Sequence, residues 1–245
     1  MWRSMIAVGV FALAGAAQAA EDDDPELAAA LAHCPGAAAF MRAHGHPDAR
    51  PAAKLGAAAP SEPELRRQLL EMERIDQDAR SGDWSQAMIE KMLAVDAANL
   101  PKIKQIVADH GGLPGAGQVG ADGVTAAWLL VQHADTDPRF QSEVLDGILP
   151  MVKSGEVSAH DFALLTDRVL VNAGKPQRYG SQLMAINGQW QPKPMEAPEQ
   201  VDQRRAELEQ MPLADYMCVA ARMFPAPATD ANGILKRESG GPSGD

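Results

Sequence analysis

Apolar residues fall three and four positions apart along most of this chain, a spacing that gathers them on one face of an α-helix. In "SEPELRRQLLEMERIDQDAR" Leu65, Leu69 and Met72 make such a stripe up to Arg80, and Ser61 with Glu64 three residues on has the layout of a capping box. A second helix is predicted over 85–95. A third, capped by Asp96, buries Leu100, Ile103, Ile106 and Val107 and stops at Gly111 and Gly112. "GGLPGAGQVGADG" is nearly all turn formers and reads as a connector; without a preceding strand or a following Lys-Ser/Thr it is weak evidence for phosphate binding. Further stripes predict helices over 123–134, 138–153, 159–172 (capped by Ser158, closed by Gly174), 198–210 and 213–223. Only "SQLMAINGQWQPKPM" changes period, and Asn187-Gly188 is the preferred pair of a two-residue hairpin turn. The fold class is therefore mainly α: a single helical domain of about seven or eight helices with one short β-hairpin in the C-terminal third.

The two ends read differently. "MWRSMIAVGVFALAGAAQAAEDDD" has one basic residue, an apolar run too short to span a bilayer, and small residues at Ala17 and Ala19. It predicts a signal peptide over 1–19, cleaved after Ala19, and hence a periplasmic or secreted protein with no stable membrane insertion after cleavage. Residues 20–60, rich in Ala, Pro and charge, read as a flexible leader with a short helical piece near Pro25, the helical domain as 61–224, and 225–245 as a disordered tail. His33, His44 and His46 in the leader could take a metal or simply lie at the surface.

Composition narrows the partners. The net charge is −11, and loss of Arg3 with the leader leaves 21 basic against 33 acidic side chains, or 12 net negative charges. Nucleic acid is a poor partner for such a field. Cys34 and Cys218 are the only cysteines, and in an oxidising compartment two cysteines invite one bridge between the two ends of the chain; two buried thiols are the alternative.

The candidate chemistry starts at "VQHADTDPRFQ". Asp137 before Pro138 is a helix cap, and His133 falls where a cation meets a helix C-terminus. Helical geometry nevertheless sets Gln132 over Trp128 and Leu129, and His133 over Leu129 and Leu130, so both polar groups are at least half buried and need partners. Asp167 has only Ala163, Leu164, Leu170 and Val171 around it, which makes an unpaired carboxylate costly, and Arg168 is the nearest counter-charge in sequence. "KPQRYGSQ" adds Gln177, Arg178, Tyr179 and Gln182 in a turn, and "RIDQDAR" adds Asp76, Gln77 and Arg80.

These segments, "AAWLLVQHADTDPRFQ", "LLTDRVLVNAGKPQRYGSQ" and "VDAANLPKIKQIVADHG", resemble the bacterial domain-of-unknown-function 6624 family over about 65–216. The resemblance brings no established activity. It implies that the positions that matter are Asp76, Gln77, Gln132, His133, Asp135, Gln141, Asp167, Arg168, Gln177, Tyr179, Gly180 and Gln182. Ser181 stands where the motif usually has Thr, and Leu113 where a tryptophan is common.

Two function classes remain open. The first is a binding domain, whose polar His/Asp/Arg/Tyr site, with Asp76, Gln77, Trp128, Gln132, Gln141, Gln177, Arg178 and Gln182, takes a small ligand, a cell-wall fragment or a protein partner. The second is a metal-independent hydrolase with His133 as general base, Asp135 or Asp167 orienting it, and Arg168 or Tyr179 holding negative charge. A zinc site built from His133, Asp135 and Asp167 lacks the helical H-E-x-x-H pattern, and no motif requires a cofactor.

Overall fold

The computed structural model describes residues 25–45, 59–81 and 85–234. The predicted signal peptide and its cleavage point, His46, and the last eleven residues of the chain lie outside them. Ten helices and one antiparallel hairpin make up the described part, in agreement with a mainly α fold. None of these helices is long and apolar enough to cross a membrane.

The centre is α5 (Ala116–Gln132), whose residues from Val124 and from Ala126 to Gln132 are almost completely buried. Around it pack α3 (Pro63–Arg80), α4 (Gln86–His110), α6 (Pro138–Gly147) and α8 (Ala159–Asn172), and their facing residues Leu69, Ile103, Phe140, Val144, Leu164 and Leu165 complete the main core. Leu, Ile, Val and Ala fill it, with Trp128 as its one tryptophan.

Several boundaries differ from those read off the sequence. The helices expected over 85–95 and 96–110 are the single helix α4: Ser85 caps it, accepting from the Met88 amide at 3.2 Å, and Pro101 lies inside it. Asp96 does not cap a helix because its carboxylate is taken by Arg80 at 2.6 Å. Ser61 is likewise no cap. α3 begins at Pro63, and the Ser61 and Glu62 amides donate to the carbonyls of Gly117 and Gln118. The glycine-rich run is more than a connector, since α5 already begins at Ala116 and bends at Gly120, whose φ of 76° is open to glycine at little cost. The helix expected over 138–153 is broken after Gly147, and α7 (Leu149–Ser154) restarts with Pro150 in its first turn.

The C-terminal third carries the hairpin as expected: β1 (Leu183–Ile186) pairs with β2 (Gln189–Pro192), and Asn187 and Gly188 both have positive φ, at 52° and 74°. A 3₁₀ turn (Pro198–Gln200), α9 (Val201–Glu207) and α10 (Leu213–Met223) follow. Against α10 lies a second, smaller core, and its other side is the stretch read as a flexible leader. There α1 (Pro25–His33) and α2 (Pro35–His44) bury Leu27, Ala30, Cys34 and Ala37 against Leu183, Tyr216, Val219 and Ala220. Apolar residues too few to signal a core alone are enough once Cys34 is bonded to Cys218 across 184 residues. The expected disordered tail is also corrected in its first part: Thr229 is buried, and the Asp230 carbonyl accepts from the Asn187 amide at 3.2 Å, so 225–234 closes over the hairpin turn.

Candidate functional site

α5 delivers His133 as its C-terminal cap residue, and α3 presents Asp76 opposite it. The His133 Nδ1 lies 2.8 Å from Asp76 Oδ2, with both residues buried. The other Asp76 oxygen accepts from Arg80 Nη1 at 2.7 Å, Arg80 Nη2 reaches Asp96 at 2.6 Å, and Gln77 Nε2 donates to Asp76 at 2.9 Å. A chain of charge therefore runs from Asp96 through Arg80 and Asp76 to the imidazole. Burial pushes Asp76 up, but the opposing charge and hydrogen bond of His133 and the charge of Arg80 outweigh it and hold the carboxyl below its ordinary value. Asp96, half-buried, is held above by burial and the Asp76 charge against the opposing Arg80 and His133. His133 Nε2 has no hydrogen-bond partner among the described residues.

Two residues on, Asp135 turns toward α8. Its Oδ2 accepts from Arg168 Nη1 at 2.8 Å, and its Oδ1 from Asn172 at 3.1 Å and Gln141 at 3.3 Å. Gln141 is fixed in turn by the Val131 and Gln132 carbonyls and by Asn172. Burial raises Asp135, and the charges of Arg168 and His133 together with the hydrogen bonds from Asn172 and Gln141 outweigh it, so its carboxyl also sits below the usual range. The exposures in this pair are unequal: Asp135 keeps 34% of its side-chain surface, whereas Arg168 keeps 2%. Lys193, at the end of the hairpin, is pushed down by burial and by the Arg168 charge, with Asp135 opposing.

This cluster is not fully satisfied. Arg168 Nε and Nη2, both polar atoms of the Gln132 side chain, and the Trp128 indole nitrogen are buried without a hydrogen-bond partner among the described residues. Trp128 and Gln132 stand one turn apart on the same face of α5. Each such orphan costs about 1–3 kcal/mol unless a water or a ligand meets it, which makes this region the place to look for one.

The expected counter-charge for Asp167 is corrected, because Arg168 pairs with Asp135 and not with its neighbour in sequence. Asp167 instead accepts from the backbone amides of Arg178 (2.7 Å), Tyr179 (3.0 Å) and Ser181 (2.9 Å) and from the Ser181 hydroxyl (2.8 Å). Burial still holds its carboxyl above the ordinary value against these four donors. With both oxygens spent on the turn, Asp167 is not available to orient His133.

The rest of "QRYGSQ" completes that turn. Gln177 bonds the Gln182 and Lys193 backbones, Gln182 Nε2 reaches the Leu164 carbonyl, and Gly180 has a φ of 75° with a Cβ position 2.8 Å from Leu213. Ser181 in place of Thr keeps the hydroxyl that the turn uses. Arg178 is exposed, and Tyr179, raised by burial, feels Arg178, Asp167, Glu207 and Arg204 rather than His133.

Four residues that matter escaped the sequence reading. Arg204 and Arg205 hold the turn's carbonyls, Arg178 O at 2.7 Å and Tyr179 O at 2.7 Å respectively. Asn172 and Lys193 complete the Asp135 cluster. An Arg-Arg pair with Arg205 set over Val201 and Leu208 on α9 was the available signal for the first two; nothing local marks Asn172 or Lys193. Among the described residues no group of three His, Cys, Asp or Glu could hold a metal ion.

No curated protein and no solved structure matches this chain. Residues 63–225 match the model of a Family of unknown function (DUF6624), and the chain belongs to that family.

Proposed function

We propose that this family member is an exported binding protein whose ligand or protein partner is read by the polar cluster of His133, Asp76, Asp135, Arg168, Asn172 and Lys193. One observation carries the reading: the cluster is buried and incompletely satisfied at its base, with Arg168 lacking two partners, yet reaches solvent at Asp135. Export is supported by the leader pattern of 1–19 and by the Cys34–Cys218 bridge, which suits an oxidising compartment.

The test is a thermal-shift screen of the mature protein, disulfide intact, against divalent metals, muropeptides and sugars beside a His133→Ala variant. A ligand that raises the wild-type midpoint and not the variant's supports the site. If nothing shifts the midpoint and the variant melts well below wild type, the histidine belongs to the scaffold, the small-ligand reading is lost, and the search moves to protein partners.

A second reading, metal-independent hydrolysis, is favoured by the Asp76–His133 pair. A carboxylate on Nδ1 fixes the tautomer that leaves Nε2 free as a general base, a role that Asp76 fills in place of the expected Asp135 or Asp167. Turnover of a ligand found in the screen, abolished in Asp76→Asn while binding persists, would establish it.

A further inference from the structure

Arginine pairs most strongly through the edge formed by Nε and one terminal nitrogen, where two parallel N–H groups match the two oxygens of a carboxylate. This molecule uses that edge repeatedly. Arg74 places Nε and Nη2 on the two oxygens of Glu71 at 2.8 and 2.7 Å, and Arg66 does the same to Asp122 at 2.9 and 2.5 Å. Arg204 fills its edge with the carbonyls of Arg178 and Glu196. Arg168 is more buried than any of these, yet it spends only Nη1, on Asp135, and leaves Nε and Nη2 without partners among the described residues.

From this open edge we infer that the ligand of the site presents a carboxylate, taken up side-on by Nε and Nη2 of Arg168 next to Asp135 and Lys193. The inference rests on the binding reading above and names the ligand's recognised group. Charge supports an anion: the charges of Arg168 and Lys193 both bear on the single carboxylate of Asp135, which leaves positive charge over in the cluster. Asp135, one-third exposed, is where the cluster reaches solvent, and a ligand gains the closed edge of Arg168 by displacing the side chains that cover it.

The probe is acetate, titrated into the mature, disulfide-bonded protein with arginine side chains labelled for NMR, alongside chloride and inorganic phosphate at matched ionic strength. The expected result is a saturable movement of the Arg168 Nε–H resonance with acetate and not with chloride. Arg168→Lys keeps a cation beside Asp135 and lacks the edge, so it should bind acetate at least about tenfold more weakly, a loss of roughly 1.4 kcal/mol. A resonance that stays fixed under acetate, or follows phosphate and chloride equally, overturns the inference; should Arg168→Lys fail to fold, the wild-type resonance decides alone. A different ligand that moves the His133 and Asp135 signals while Arg168 stays fixed would leave the binding reading standing and remove the carboxylate from it.

Discussion

Asp167 and Asp135 are both anchored at α8, and they are opposites. Asp167 is fully buried and accepts four hydrogen bonds from one turn, whose carbonyls are closed from the other side by Arg204 and Arg205. Asp135 is one-third exposed and sits on an arginine that is buried with two donors unused. Burial accompanied by complete satisfaction marks a group that holds the fold. Burial with polar capacity left over, opening to solvent, marks a group kept for something outside it. By that criterion the "QRYGSQ" turn reads as scaffold, and the proposed site lies at the "QHAD" end of α5.

The widest separation between the two should come from Asp167→Ala, which strands three backbone amides and a hydroxyl and should cost about 3–5 kcal/mol in urea unfolding. An unchanged midpoint would break the comparison at its strongest point. Arg205→Lys attacks the same turn from its carbonyl side, where Nε donates to Met211 O at 2.6 Å and Nη1 to Tyr179 O. We expect a loss of about 1–3 kcal/mol by the same assay, because lysine cannot reach both carbonyls. Asp135→Asn should cost less, about 1–2 kcal/mol, since the amide still offers Arg168 an acceptor although the buried guanidinium loses its counter-charge; a cost equal to that of Asp167→Ala would make Asp135 scaffold as well.

The smallest effect is in the acid limb of the stability profile. Asp76 and Asp135 are held below their ordinary value, so the native protein keeps them ionised where the unfolded chain protonates near about pH 3.9. Their contribution is present above that value and lost as pH falls through the lower native ones, and Asp135→Asn should flatten the slope there. Asp167, held above its ordinary value by burial, contributes with the opposite sign: present below the unfolded value and lost as pH rises through the native one. Melting temperatures between pH 3 and 6 read the difference, and an acid slope unchanged in Asp135→Asn would contradict it.

Some of this was open to inspection in the sequence. The burial of Asp167 followed from four apolar helical neighbours, and Gln132 and His133 were placed inward by the same geometry. Their partners were not, because partners come from segments distant in the chain: Asp76 lies 57 residues before His133, and Arg168 lies 33 after Asp135. The nearest charge in sequence, Arg168 beside Asp167, was the wrong one, since adjacent helical residues point apart. Asp96 shows the same limit in reverse. Its side chain satisfied the local rule for a cap, and a guanidinium 16 residues away claimed it.

Determined by the sequence alone were the features set within a few residues: the helical periodicity, the caps at Asp137 and Ser158, and the Asn187-Gly188 turn. Tertiary structure alone decided which buried polar groups were completed and which were left wanting. That division depends on where a carboxylate, a turn of amides and a guanidinium meet in space, and hydrogen bonds, being short and directional, are settled only when the helices have packed.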